Sequence, residues 1–223
     1  MKSTKIDWCD CTINPVVGCP NGCEYCYARR INERFGFVPK WEEPVFFEER
    51  LSQFNSKKPR SVFIDSMSDI GCWKDEWLDK TVRAIEKNPQ HKYIALTKKH
   101  AMTTIAKISE FYNGESDIFI GKSVTNQQQF DNLYNSDDMM DFLSIEPLHS
   151  AIDFGGHLAY CTEFVIIGAE TGNRKGKIVP EKNWVQDIVS QCDKSGVGCF
   201  MKESLRDLMG DEFRQDKLPW SVE

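Results

Sequence analysis

Six short apolar runs with helix-period segments between them restrict this sequence to one kind of architecture. They lie at 61–65, 92–97, 117–121, 141–145, 163–168 and 197–201. Each is brief, mostly β-branched or aromatic, and apolar at consecutive positions, as in a strand covered on both faces. Between several of them run amphipathic stripes. Trp77, Leu78, Val82 and Ile85 form one, and Met102, Ile105, Ile108 and Tyr112 a second. Trp184, Val185, Ile188, Val189 and Cys192 form a third, with Gly196 placed to end that helix. Such alternation predicts parallel strands joined by right-handed crossovers. A further strand near 12–17 brings the expected number to about seven. The fold class is therefore α/β, read as a partial, open β/α barrel of six to seven parallel strands. An open doubly wound sheet fits the same alternation.

One connection is irregular. Residues 147–161 carry Pro, two Gly and two His without a helical stripe, and are expected to form a loop. After Met201 the chain turns polar, with Phe213, Leu218 and Trp220 able to fold back as a cap over about 203–223. No repeat or linker interrupts the chain, so 1–223 reads as one domain. Nothing approaches the length of an apolar membrane span, and the opening residues lack a signal-peptide core. The expectation is a cytoplasmic protein with no membrane partner. A net charge of −6 disfavours non-specific wrapping of a nucleic acid backbone but leaves room for a local basic site.

Nine cysteines, an odd number, point in a reducing compartment to metal or redox chemistry rather than a disulfide framework. The central group is Cys19, Cys23 and Cys26, spaced C-x3-C-x2-C on a loop with Gly18 and Gly22. Three thiolates on one tight loop can each hold one iron of a [4Fe–4S] cubane and leave the fourth iron open. An open iron is what S-adenosylmethionine (SAM) needs to chelate through its amino and carboxylate groups. Three thiolates are also most of a structural zinc site, with Cys9, Cys11 or Cys72 available as a fourth ligand. A zinc ribbon needs a second C-x2-C pair, which this chain lacks, and gives no task to the aromatic residue before Cys26.

C-x3-C-x-aromatic-C is the signature of the radical SAM superfamily, and Cys19, Cys23, Tyr25 and Cys26 match it position for position. The likeness covers nearly the whole chain. Trp8, Asp10, Asn14-Pro15, Cys26-Tyr27-Ala28, Lys58-Pro59-Arg60, Ser66-Met67-Ser68-Asp69, Leu96-Thr97-Lys98, 144–148 and 168–172 resemble a phage-associated radical SAM-like family known mainly as a domain of unknown function. Cys9 and Cys11, flanking Asp10, depart from the small polar residues expected there. The resemblance implies a barrel of the radical SAM type. It also implies reductive cleavage of SAM to a 5′-deoxyadenosyl radical that takes hydrogen from a substrate, with a flavodoxin- or ferredoxin-type electron donor. It places Tyr25 near the adenine, the SAM amino group near Ser66, Ser68 and Asp69, and the ribose near Ser123, Thr125 and Asn126.

In parallel α/β folds ligands sit at the carboxyl ends of strands. Glu146 and Glu170 fall there and are candidates for SAM or substrate hydrogen bonds. Helix N-capping accounts equally well for Ser123, Thr125 and Asn126. Lys98, Lys99, Lys122, Arg174, Lys175, Lys177 and Lys202 lie at or just beyond the same ends. Such a basic rim suits a phosphate-bearing substrate, a nucleotide or nucleic acid base, held chiefly by Arg174, Lys175 and Lys177. A zinc-stabilised nucleic-acid-binding module and a radical SAM enzyme acting on peptides are the alternatives. His91, His100, His149 and His157 show no ligand spacing and read as surface or loop residues. Cys161, Cys192 and Cys199 read as inert core thiols.

Overall fold

The computed structural model describes residues 4–114 and 116–222. In chain order the elements begin with strands β1 (Cys11–Thr12) and β2 (Val16–Val17), then helix α1 (Tyr27–Phe35). Strand β3 (Val45–Phe46), a 3-10 segment over Glu48–Asn55 and β4 (Ser61–Phe63) follow. Next come α2 (Asp75–Glu86), β5 (Lys92–Thr97), α3 (Ala101–Ser109), β6 (Asp117–Val124), α4 (Gln127–Asn135) and β7 (Phe142–Ile145). Helix α5 (Leu158–Cys161), β8 (Phe164–Ile167), α6 (Lys182–Ser195), β9 (Gly198–Met201) and α7 (Arg206–Met209) complete the order.

Seven strands form one sheet in the order β1-β4-β5-β6-β7-β8-β9. The pairings β1–β4, β4–β5, β6–β7, β7–β8 and β8–β9 are parallel. Neighbours in this sheet follow one another along the chain. A doubly wound sheet reverses its order at a switch point, and this order has none. The α/β reading with a seven-stranded parallel sheet therefore stands, and the doubly wound alternative falls away. Every residue of β4, β7 and β8 is buried, as continuous apolar runs require.

By internal contacts the chain divides into two compact units, one of Met1–Ile120 with Trp220–Glu223 and one of Gly121–Pro219. The first unit packs Ile13, Val62, Ile64, Tyr93 and Ala95 against Leu78, Val82 and Ile85 of α2, the predicted stripe. In the second, Leu143, Ile145, Val165 and Ile167 are buried, as are Val185, Ile188 and Cys192 of α6. Helix α6 ends on Gly196 in the left-handed conformation, as expected of a C-cap.

Several expectations need correction. The strand placed at 12–17 is two strands: β1 joins the main sheet, and β2 pairs antiparallel with β3 as a separate ribbon. Pro15 interrupts the run, since proline has no amide to give to a ladder. The loop at 147–161 ends in the one-turn helix α5. Strand β6 runs on to Val124, which puts Lys122 and Ser123 inside the strand rather than after it. His91 is fully buried, with Nε2 3.0 Å from the Phe54 carbonyl, so it is a core residue and not a surface one. Among the described residues no helix is long and apolar enough to cross a membrane.

Of the proposed cap residues, Trp220 is the one that is fully buried. Its indole Nε1 donates to the Trp8 carbonyl at 2.7 Å, and its ring meets Trp8 edge-on at 6.1 Å. Phe213 and Leu218 are half-buried. Trp220→Ala should therefore lower unfolding free energy by about 3–5 kcal/mol in urea titrations, while Leu218→Ala costs clearly less. Equal losses would mean that Trp220 does not anchor the C-terminus.

Candidate functional site

The cysteine loop belongs to the first unit and is fastened at both ends. Gly18 opens it with φ +108°, and a Cβ there would lie 2.9 Å from Pro44 Cα and the Trp41 carbonyl, so only glycine fits. Gly18 N donates to the Met67 carbonyl at 3.0 Å, and Cys19 N to the Trp41 carbonyl at 2.7 Å. At the other end Cys26 is the N-cap of α1, its Sγ accepting from Arg29 N at 3.4 Å. Cys19 and Cys26 pack on a small apolar cluster of Val17, Ala28, Val38, Trp41 and Met67.

Asp69 ties this loop to the sheet. It is buried just after β4, and its carboxylate accepts from four donors. Oδ1 takes Gly71 N at 2.9 Å and the Thr97 hydroxyl at 2.7 Å. Oδ2 takes Lys98 N at 2.9 Å and the side-chain amide of Asn21, which lies between Cys19 and Cys23. Asp65, also buried, accepts from Leu96 N and Ile70 N, both at 3.0 Å. Burial, and then the neighbouring Asp69, push the Asp65 carboxyl well above the usual carboxylate range. Asn14 Oδ1 accepts from Ser66 Oγ and Met67 N, both at 3.0 Å, and Tyr27 donates its hydroxyl to the Ser66 carbonyl at 2.8 Å. Ser68 Oγ accepts from the Trp73 indole at 3.0 Å. Ser66, Ser68 and Asp69 thus stand together at the predicted strand end, each with a protein partner. Asn14, Asn21, Asp65 and Thr97 hold them there, and sequence reasoning assigned none of these four a role.

All three motif thiols are free and half-buried. Burial pushes Cys19 up to about 12 and also raises Cys26, so unliganded they keep their protons at neutral pH, and a metal would have to displace them. Cys72 is the extra thiol beside the loop. Its Sγ donates to Asn21 Oδ1 at 3.7 Å. Cys11 is wholly buried on β1 with its Sγ on the Ser61 carbonyl, and Cys9 donates to the Ile6 carbonyl. Among the described residues no three metal-binding side chains are gathered around one point. The donor set suits a soft metal or an iron–sulfur cluster: three sulfurs on one short loop, two of them against an apolar cluster. Tyr25 lies beneath Lys98, whose Nζ stands 5.4 Å from the ring centroid, while Lys99 is exposed.

The second unit carries the other candidates. Glu170 is buried and grips Arg174 bidentately, Nε at 2.7 Å and Nη2 at 2.8 Å, with His149 Nε2 at 3.6 Å. Glu146 pairs with Lys202. A Cβ on Gly168 would come within 2.9 Å of Lys202 Cδ and 3.3 Å of Glu146 Cγ, so this pair lies directly over the end of β8. Lys122 points inward to buried Asp138 at 3.1 Å. The charges of Arg174, Lys202 and Lys122 are therefore balanced by carboxylates, whereas Lys175 and Lys177 are exposed. Ser123 pairs in register with Ser144, Asn126 caps α4 by accepting from Gln129 N, and Thr125 donates N and Oγ1 to Gln129 Oε1. The capping role is thus realised by Asn126, while Thr125, one residue before the cap, is held by the Gln129 side chain.

Two measurements follow. Asp69→Ala would leave four donors without their acceptor and should cost at least about 3 kcal/mol in urea unfolding, with Asp69→Asn in between. Wild-type stability in Asp69→Ala would remove it as the anchor. The Arg174 guanidinium holds Glu170 below the usual carboxylate range. A lowered folded pKa stabilises above the unfolded value of about 4.3, and that contribution is lost as pH falls through the folded one. Glu170→Gln should therefore be less stable than wild type at pH 7, the gap narrowing below about pH 4. A gap independent of pH would mean the pair adds nothing.

No curated protein and no solved structure matches the chain. A family described as "protein of unknown function (DUF5131)" matches residues 3–209. With nearly the whole chain covered, and with the cysteine loop and both sets of strand-end carboxylates inside the matched region, the protein belongs to the DUF5131 family.

Proposed function

We propose that this protein is a radical SAM enzyme, with Cys19, Cys23 and Cys26 holding a [4Fe–4S] cluster and SAM completing the open iron. The observation that carries the reading is the loop itself: three free thiols between Gly18 and the N-terminus of α1, moored by Asn21 and Asp69 to the ends of parallel strands β4 and β5. Bound cluster and SAM together would supply one-electron cleavage of the sulfonium and a radical able to take hydrogen from an unactivated carbon. The chain's own residues bind and orient. Asn21 and Asp69 hold the thiol loop in one conformation, and the apolar cluster under Cys19 and Cys26 limits water on that side. Tyr25 offers a ring face with Lys98 above it. Under this reading the fold is a partial barrel of the radical SAM type, the enzyme works in the cytoplasm, and it draws electrons from a flavodoxin- or ferredoxin-type donor. Its substrate carries phosphate; in the second unit Lys175 and Lys177 are exposed, whereas Arg174 is turned to Glu170.

Cys72 favours a second reading. As a fourth thiol, hydrogen-bonded to Asn21 of the cysteine loop, it would complete a tetrahedral zinc site and make this unit a metal-stabilised module without catalysis. One anaerobic preparation separates the two. The radical SAM reading expects about four irons with matching sulfide per chain, lost in each of Cys19→Ala, Cys23→Ala and Cys26→Ala but kept in Cys72→Ser. It also expects 5′-deoxyadenosine from SAM under reductant, reduced by Tyr25→Ala without loss of iron. One zinc per chain that disappears in Cys72→Ser would establish the second reading instead.

A further inference from the structure

Helix α1 carries its apolar side chains on the outside. Its inward face is narrow, formed by buried Ala28 and Asn32. The Asn32 side chain accepts from Val38 N at 2.9 Å and donates to the Val38 carbonyl at 3.0 Å, which fastens the turn after the helix. Tyr27, Ile31 and Phe35 follow at i, i+4 and i+8 and are 44%, 36% and 61% exposed. Phe37, just past the Gly36 cap, is also exposed, its ring centroid 5.9 Å from that of Phe35. Single exposed apolar residues need no explanation, but a stripe of this length on one helix face marks a binding surface.

The charges on the same helix say what it binds. Arg30 and Arg34 fall on the stripe by helical spacing, and the Arg34 guanidinium stands 5.1 Å from the Phe35 ring centroid. Arg29, Arg30 and Arg34 face one acid, Glu33, within α1, although the whole chain carries −6. We propose that this face binds a single strand of nucleic acid, with Phe35 and Phe37 stacking on bases and Arg34 meeting phosphate. Aromatic faces serve any unpaired base, and arginine supplies both a phosphate fork and a stacking plane. A second copy of this chain is a poor occupant, because a two-fold contact would set these arginines against themselves. A protein partner is also disfavoured by size. The helix is about 13 Å long, room for a few nucleotides but short of the roughly 800 Å² per side of a stable protein interface. Since Cys26 caps the N-terminus of α1, a strand lying on the helix is brought to the cysteine loop. The inference thereby names a substrate class for the enzyme proposed above and depends on that reading only for the chemistry that follows.

The test is fluorescence anisotropy of a fluorescein-labelled short oligothymidylate with the full chain, as purified and after anaerobic reconstitution. Both preparations should bind, with affinity falling as potassium chloride rises. Phe35→Ala combined with Phe37→Ala should weaken binding about tenfold or more. Arg34→Ala should lower the slope of log affinity against log salt by about one. Unchanged affinity in the aromatic variant, or equal binding of a duplex of the same length, would overturn the proposal. So would wild-type association with phosphatidylserine vesicles, or self-association in light scattering, that the aromatic variant abolishes while oligothymidylate goes unbound. Protein without iron that still binds the strand would remove the cluster and leave this inference standing.

Discussion

A buried carboxylate with four donors organises the first unit. Asp69 sits where β4 has just ended, and it binds the side chain of the cysteine loop, the hydroxyl of Thr97 and two backbone amides. Burying a carboxyl group is tolerable only when its polar atoms find hydrogen-bond partners, and here they do. The arrangement therefore works in one geometry, with β4, β5 and the loop all in place. Asp65 repeats the device one turn of chain earlier and is kept protonated more readily by burial and by Asp69 itself.

The second unit handles charge differently. Its strand ends carry matched pairs, Glu146 with Lys202 and Glu170 with Arg174, and Lys122 reaches Asp138 within the unit. Charges compensated in this way set local shape more than long-range potential, since each partner cancels the other's field beyond a few ångströms. The exposed cations of the unit's 171–179 segment, Lys175 and Lys177, have the freedom to meet an anion that the paired ones lack. His149 beside Glu170 makes that pair a small network.

Helix α1 joins two features that would otherwise be separate. Its N-cap is a motif cysteine, and its outer face is aromatic and basic. An ordinary surface helix gains stability by turning its apolar stripe inward. Here Ala28 and Asn32 occupy the inner face, and Asn32 secures the following turn by two backbone hydrogen bonds instead. The helix is held by its caps and by polar closure, which leaves Ile31 and Phe35 exposed to meet a ligand.

Much of the architecture was legible in the residues because burial on both faces of a parallel strand leaves an unmistakable continuous run, as at 142–145 and 164–167. The third stripe, with Gly196 behind it, likewise announced α6 and its cap. The C-x3-C-x2-C spacing alone put three thiols on one loop. Sequence could not decide the order of strands, since the same alternation serves wound-back and sequential sheets, and only pairing distinguishes them. It could not separate Cys72 from Cys9 and Cys11, because what sets them apart is a contact with Asn21 across 51 residues. Nor could it tell that Arg174 is turned to Glu170, or that Asp69 is occupied by donors from three segments. Local pattern determines which faces are buried and where helices stop, because those depend on neighbours a few residues away. Which polar group meets which depends on chain segments brought together by folding, and only the tertiary structure sets those partners.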